Sequence, residues 1–149
     1  NRLGVQMREK LHSTNAVIVG LAGKINFIYS QIYKMSHLRV LSRWRNAVNF
    51  FKPGQVSKVY AKNFVFVPSF DTGIITDKKK LENYFKKAKE KNIYVFFESD
   101  KYIVGGDGNT VSGFYNFLLG GMGHRASFIF SIVEEEGEYK ISTHHSSRI

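Results

Sequence analysis

The last forty residues leave the chain little freedom of fold. From Thr110 onward it reads as three long strands, at 110–119, 124–133 and 139–147, separated only by Gly120-Gly121-Met122-Gly123 and Glu134-Glu135-Glu136-Gly137. Connections this short join antiparallel neighbours, since a parallel pair needs a crossover of about a dozen residues or more. Further extended runs at 64–67, closed by Pro68, and at 93–98 and 101–104, followed by the turn 105–109, extend the same sheet. Thirteen Phe and eight Tyr against one Trp suit aromatic-rich strands with a real core between them and another layer.

That other layer comes from the first half. Ser13, Thr14 and Asn15 are helix-capping types. After them Val17, Leu21, Ile25, Ile28 and Ile32, then Met35, Leu38, Leu41, Trp44 and Val48, recur at helical spacing. The pattern predicts one long helix, or two with a break near Ser36-His37, and at this spacing Trp44 reads as core. Pro53-Gly54 ends it. A short helix is predicted over 55–61 with Val56, Val59 and Tyr60 inward. Another, capped by Asp77, has Leu81, Tyr84, Phe85 and Ala88 on its apolar face and Lys78, Lys79, Lys80, Lys86, Lys87, Lys89 and Lys91 on a solvated one. The fold class is therefore α+β: helices packed on one face of a curved antiparallel sheet, preceded by a basic helical extension. The expected division is 1–40 for the extension and 41–149 for the body.

Charge divides the chain in the same way. Residues 1–52 hold nine Lys or Arg and one acid, Glu9, whereas residues 53–149 hold thirteen and eleven. A basic arm on a near-neutral body points to an anionic partner: RNA, anionic lipid or an acidic neighbouring subunit. An Arg-containing, acid-poor start is also what remains near an organelle transit peptide, so a mitochondrial or other organellar location is expected. Residues 16–33 are apolar but interrupted by Lys24, Asn26, Ser30 and Gln31, which fits a buried or partner-facing helix better than a membrane span. The absence of Cys excludes disulfides, thiolate metal sites and a thiol nucleophile. The aromatic strand 112–119 could also present a sheet face to a second copy.

The final strand ends in His144-His145-Ser146-Ser147, four side chains that donate or accept protons. Strict alternation puts Ile141, Thr143, His145 and Ser147 on one face and Ser142, His144 and Ser146 on the other. The first face starts the more apolar, so His145 and Ser147 are expected to point inward; a β-bulge would reverse this. Adjacent strand histidines point opposite ways and do not readily share a metal, and His12, His37 and His124 add no ligand spacing.

Several pieces together resemble the iota-class carbonic anhydrases, a branch of the SnoaL-like cone folds of nuclear transport factor 2, related to the calcium/calmodulin-dependent kinase II association domain. They are Val59-Tyr60-Ala61, Phe66-Val67-Pro68-Ser69, Asn83-Tyr84-Phe85, the stretch from Gly106 to Tyr115, and His144-His145-Ser146-Ser147, spanning roughly residues 40–149 in the family's order. The resemblance implies a cone with a metal-free, cofactor-free pocket for CO2 and bicarbonate. Ser69 would stand in for the family's threonine, Tyr84 would be its helix tyrosine, and His144, His145, Ser146 and Ser147 its closing segment. A histidine of near-neutral pKa would act as base, and hydroxyls would place donors where negative charge grows. The family's usual Met-Pro-Glu tail is replaced here by Arg148-Ile149, and the basic extension lies outside the family core. A catalytically inactive cone, docked into a large assembly through that extension, is the alternative the same residues allow.

Overall fold

The structure is a computed structural model that describes residues 2–98, 103–105 and 109–149. Helix α1 runs unbroken over Arg2–Asn49, with no interruption at Ser36-His37. Then come α2 (Gln55–Val59), β1 (Tyr60–Val67), α3 (Lys78–Glu90), β2 (Tyr94–Phe97), β3 (Ile103–Val104), β4 (Thr110–Leu119), β5 (Met122–Glu135) and β6 (Glu138–Arg148). The chain forms two compact units, Asn1–Met35 and Ser36–Ile149. The second unit begins before the expected boundary at 41, because His37 and Val40 are already buried in its core. Of the strand expected at 101–104 only β3 is seen; Lys101, Tyr102 and the turn residues Gly106, Asp107 and Gly108 lie outside the described residues.

One sheet carries every strand, in the order β1-β6-β5-β4-β2, with β3 also paired to β4. The two predicted hairpins form, each with a two-residue turn. Gly120 and Gly121 have φ of 59° and 80°, and Glu136 and Gly137 have 52° and 77°. Positive φ at both positions is the turn whose twist matches that of its strands. One pairing departs from the meander: β1 lies parallel to β6, with Phe66 opposite His144 and Val67 opposite His145. The long crossover a parallel pair requires is supplied by everything between them, from α3 to β5.

The C-terminal turns of α1 place His37, Val40, Leu41, Trp44 and Val48 in the core. Trp44 is 2% exposed and meets Tyr115 and Phe130, with ring centroids 5.6 and 5.4 Å away. At the foot of that helix Asn49 stitches it to the sheet. Its Nδ2 donates to the Val95 carbonyl at 2.8 Å, and its Oδ1 accepts from the Val95 N–H at 2.7 Å. Strand β2 is an edge, and one side chain here satisfies the backbone groups its missing neighbour would have paired.

Helix α3 begins as expected, with Asp77 Oδ1 accepting from the Lys80 N–H at 3.0 Å, and buries Leu81 and Phe85. Lys78 was expected on the solvated face, but it is half-buried and donates to the carbonyls of Ser57 and Tyr60, the latter at 2.6 Å. The end of α2 leaves those carbonyls without helical partners, and a cation is the group that best satisfies them. Glu82, one turn on, accepts from the N–H groups of Gly54 and Ser57 at 3.0 and 2.8 Å. Together the two residues fix where β1 starts and hence where Tyr60 points.

Replacing Asn49 by Ala would strand a buried N–H and a buried carbonyl on β2. We expect Asn49→Ala to lower unfolding free energy by about 2–4 kcal/mol, from the ~1–3 kcal/mol of each orphaned group. Urea denaturation checks this; a loss within error would mean water replaces the side chain freely.

Candidate functional site

The loop after β1, the middle of β4 and the end of β6 meet at a small cavity between the sheet and the helices. It has a volume of about 30 Å³, and Ser69, Tyr84, Tyr115, His144 and Ser146 contribute its polar lining, with Trp44 and phenylalanines around them. That is room for about two waters, hence for a molecule of three or four heavy atoms. A wider recess of about 240 Å³ shares Tyr84, Phe70 and Ile93 with it and carries Asp71, Lys87 and Lys91.

Strand β6 brings His144 and Ser146 inward, while His145 and Ser147 are exposed. This overturns the expectation from alternation. The register shifts between Ser131 and Ile132: Ile132 pairs with Ile141 and Ser131 with Thr143, so Ser142 is the extra residue of a bulge. One extra residue inverts the phase of everything after it. Ile141 and His144, three apart, therefore share the buried face.

His144 is 1% exposed, with ring centroids 4.2 Å from Phe130 and 4.4 Å from Phe66, both stacked, and with Trp44 edge-on at 5.2 Å. Burial pushes its pKa well below the ordinary histidine range, and neighbouring His145 lowers it further. The ring is neutral, carrying one proton and one lone pair.

Hydrogen bonding fixes which nitrogen holds the proton. Trp44 Nε1 can only donate, and it donates to the Tyr60 hydroxyl at 3.0 Å. Tyr60 is 1% exposed, so its own proton must go to its other partner, His144 Nδ1, at 2.8 Å. Nδ1 is thus the bare nitrogen and Nε2 carries the proton, donating to the Tyr115 hydroxyl at 3.1 Å. Tyr115 donates in turn to Ser146 Oγ at 2.5 Å, and Ser146 lies 2.6 Å from Ser69 Oγ. Ser146 accepts from Tyr115, and in its bond with Ser69 either hydroxyl can be the donor. Whichever way that last bond runs, one hydroxyl proton of the pair is left for whatever occupies the cavity. As far as Ser146, every donor points one way, from the indole toward the lumen. Reversing the series would leave the Tyr60 proton facing an indole N–H inside the core, at a cost of about 1–3 kcal/mol for a stranded buried group.

Both ring nitrogens of His144 are engaged by tyrosine hydroxyls, so neither offers a lone pair to the lumen as base or metal ligand. The tyrosines are held as neutral phenols: burial raises the pKa of Tyr60 and Tyr115 well above the ordinary value. Tyr84 on α3 is pushed up to about 12, mainly by burial and then by Asp71, against a hydrogen bond with the Phe70 backbone. What faces the cavity is an array of hydroxyl donors. Among the described residues no three His, Cys, Asp or Glu side chains gather into a metal-binding group.

Of the six residues singled out in the sequence, four line one cavity: Ser69, Tyr84, His144 and Ser146. His145 and Ser147 do not. Trp44, Tyr60 and Tyr115 complete the series but were not singled out as site residues. Sequence placed Trp44 and Tyr60 facing inward, which they do, and Tyr115 lies in the stretch matched to the carbonic anhydrases. The signal for all three is a polar-tipped aromatic at a core position, where an O–H or N–H needs a partner.

No family model matches the sequence, and none of the curated proteins matches it. Solved structures do match. A candidate calcium/calmodulin-dependent protein kinase II association domain from Xanthomonas campestris has 23% identity and a TM-score of 0.63, with 73% of this chain and 82% of that one covered. A candidate dehydratase of the nuclear transport factor 2-like family from Streptomyces avermitilis has 12% identity and a TM-score of 0.66, covering 80% and 98%. The epoxide hydrolase/cyclase-like enzyme SalBIII has 11% identity and a TM-score of 0.65, covering 78% and 92%. The chain has the nuclear transport factor 2-like cone fold. Such cones serve enzymes and non-enzymes alike, and nothing in these likenesses points to a carbonic anhydrase or to bicarbonate. In this chain the cone is closed by aromatics down to a cavity far smaller than most ligand pockets, which run to about 300–1,000 Å³.

Neutral His144 has a consequence for stability. Its folded pKa lies below the unfolded value of about 6.5, so below that pH the unfolded chain takes up a proton that the folded chain refuses. Stability is fully present above about pH 6.5 and falls by about 1.4 kcal/mol per pH unit beneath it, until the folded pKa is reached. Chemical denaturation between pH 7 and 5 should show this slope in the wild type and lose it in His144→Gln. A slope unchanged by the substitution would mean the imidazole is not held neutral.

Proposed function

We propose that the cone is a carbonic anhydrase-like domain whose pocket takes CO2 and bicarbonate without a metal. The observation that carries this reading is the one-way series of hydrogen bonds that reaches Ser146 and leaves a hydroxyl proton of the Ser146–Ser69 pair for a cavity that Tyr84 also lines, the size of a three- or four-atom molecule. A small oxyanion is the ligand such a donor array suits best. It is retained by fixed donors, in surroundings of low polarity where each hydrogen bond is worth more than in water. Lys87 and Lys91 in the outer recess favour the approach of an anion.

Hydration forms one carbon–oxygen bond between water and CO2. A carbonyl electron pair moves onto oxygen, and the water loses a proton. In this site Ser69 and Tyr84 would meet the oxygen on which charge grows. The proton would leave to water through the mouth, because the His144 lone pair is occupied by Tyr60. The donor array favours the anionic product and its transition state, so the pocket serves binding of bicarbonate at least as well as turnover. His144 acts through Tyr115 and Ser146, as a positioning residue.

A second reading has its own observation. Val17, Ile18, Leu21, Ile25, Phe27 and Ile28 are each more than half exposed on α1. An inactive cone carried into a larger organellar assembly by this basic, apolar helix would explain them. No helix is long and apolar enough to cross a membrane among the described residues.

Stopped-flow CO2 hydration, with bicarbonate titration by calorimetry, tests the first reading. Ser69→Ala should lower the hydration rate by about 10²-fold, the usual effect of removing one donor to a developing oxyanion, and weaken bicarbonate binding. The outward His145→Ala, Ser147→Ala double variant should match the wild type. A wild-type protein with neither bicarbonate binding nor hydration above background leaves the scaffold reading.

A further inference from the structure

We infer that residues 7–35 of α1 pair with the same residues of a second copy in a parallel, two-stranded coiled coil. Met7, Leu11, Thr14, Ile18, Leu21, Ile25 and Ile28 follow one another at intervals of four and three, and the sequence continues the series at Ile32 and Met35. Apart from Thr14, whose hydroxyl donates to the Lys10 carbonyl at 2.8 Å, this is the seven-residue repeat of two apolar positions, sustained over four turns of the pattern. It is distinct from the stripe that buries Val40, Trp44 and Val48 in the core of the second unit. The apolar members of the seam within the described side chains are all open to solvent, from Met7 at 66% to Ile25 at 52%.

A helix like this does not hold itself. Gly20 and Gly23 have no atom within 4 Å of where a Cβ would stand, so no close approach of another element requires them. In a lone helix each costs about 1 kcal/mol relative to Ala. Val17, Ile18, Val19, Ile25 and Ile28 are β-branched and add to the deficit. Most helical stability comes from packing of an apolar face, and the seam supplies one that repeats every seven residues. Both glycines lie off it.

Two features select a second copy in parallel. One seam position is Leu11, Ile18, Ile25 and Ile32; β-branched residues there, with Leu21 at the other position, favour two strands, and identical helices in register set Ile on Ile. The flanking positions then decide whether two basic helices tolerate each other. In this register Lys10 of one copy faces Asn15 of the other, Val17 faces Ala22, and Lys24 faces Tyr29. No cation meets a cation, and the Lys24 ammonium lies against an aromatic ring. The inference is independent of what the cone binds.

The chain has no cysteine, so a single one reports the geometry. Sedimentation of the chain at micromolar concentration should give twice the chain mass. Ile18→Asp with Ile25→Asp should give a monomer whose cone retains the wild-type near-ultraviolet spectrum. Leu21→Cys, on the seam, should oxidise to a covalent dimer at least tenfold faster than Phe27→Cys, off it. A monomeric or trimeric wild type, a dimer that survives the double substitution, or equal rates at 21 and 27 would each overturn the proposal.

Discussion

An indole N–H can only give a hydrogen bond, and the polarity of the pocket follows from where this one is spent. Trp44 donates to Tyr60; Tyr60 must therefore donate to His144; His144 must therefore donate from its other nitrogen. Tyr115 repeats that logic to Ser146, whose hydroxyl is paired with that of Ser69. None of this requires a charge. The arrangement depends on exclusion of water, which the phenylalanine rings stacked on His144 supply, and on the fixed position of α1 against the sheet, which Asn49 supplies. Packing, protonation state and the chemistry offered to a ligand are thus one constraint seen at three levels.

Much of the architecture is legible in the residues. Two glycine-bearing turns between long strands, Asp77 ahead of an apolar stripe, and Pro53 after a helical pattern each have a local cause; the turns are tighter than the sequence suggests, with Met122, Gly123, Glu134 and Glu135 inside β5. The parallel pairing of β1 with β6 is not local, and the meander alone does not announce it. The phase of β6 departs from simple alternation for a related reason. Alternation is a rule for an uninterrupted strand, and Ser142 breaks it through its partner β5, which a single strand's sequence does not show. Lys78 was read as solvated because a lysine run looks uniform, whereas one member caps α2 from another helix.

The site was half legible. Hydroxyls and imidazoles attract notice because their chemistry is visible in the side chain, so Ser69, Tyr84, His144 and Ser146 were singled out. Tyr60, Tyr115 and Trp44 have polar tips on apolar bodies, and in sequence the body speaks louder. Yet these three decide that His144 is a donor toward the cavity and not a base within it. The functional proposal shifts accordingly, from an imidazole that activates water to hydroxyls that hold an oxyanion.

The protonation of His144 is the most direct test of this account. Imidazole nitrogen resonances of the labelled protein should show a neutral ring, with the proton on Nε2 and Nδ1 bare, unchanged as the pH falls from 7.5 to 5. A proton on Nδ1, or an imidazolium ion at neutral pH, would contradict the polarity assigned to the whole series and with it the donor character of the pocket.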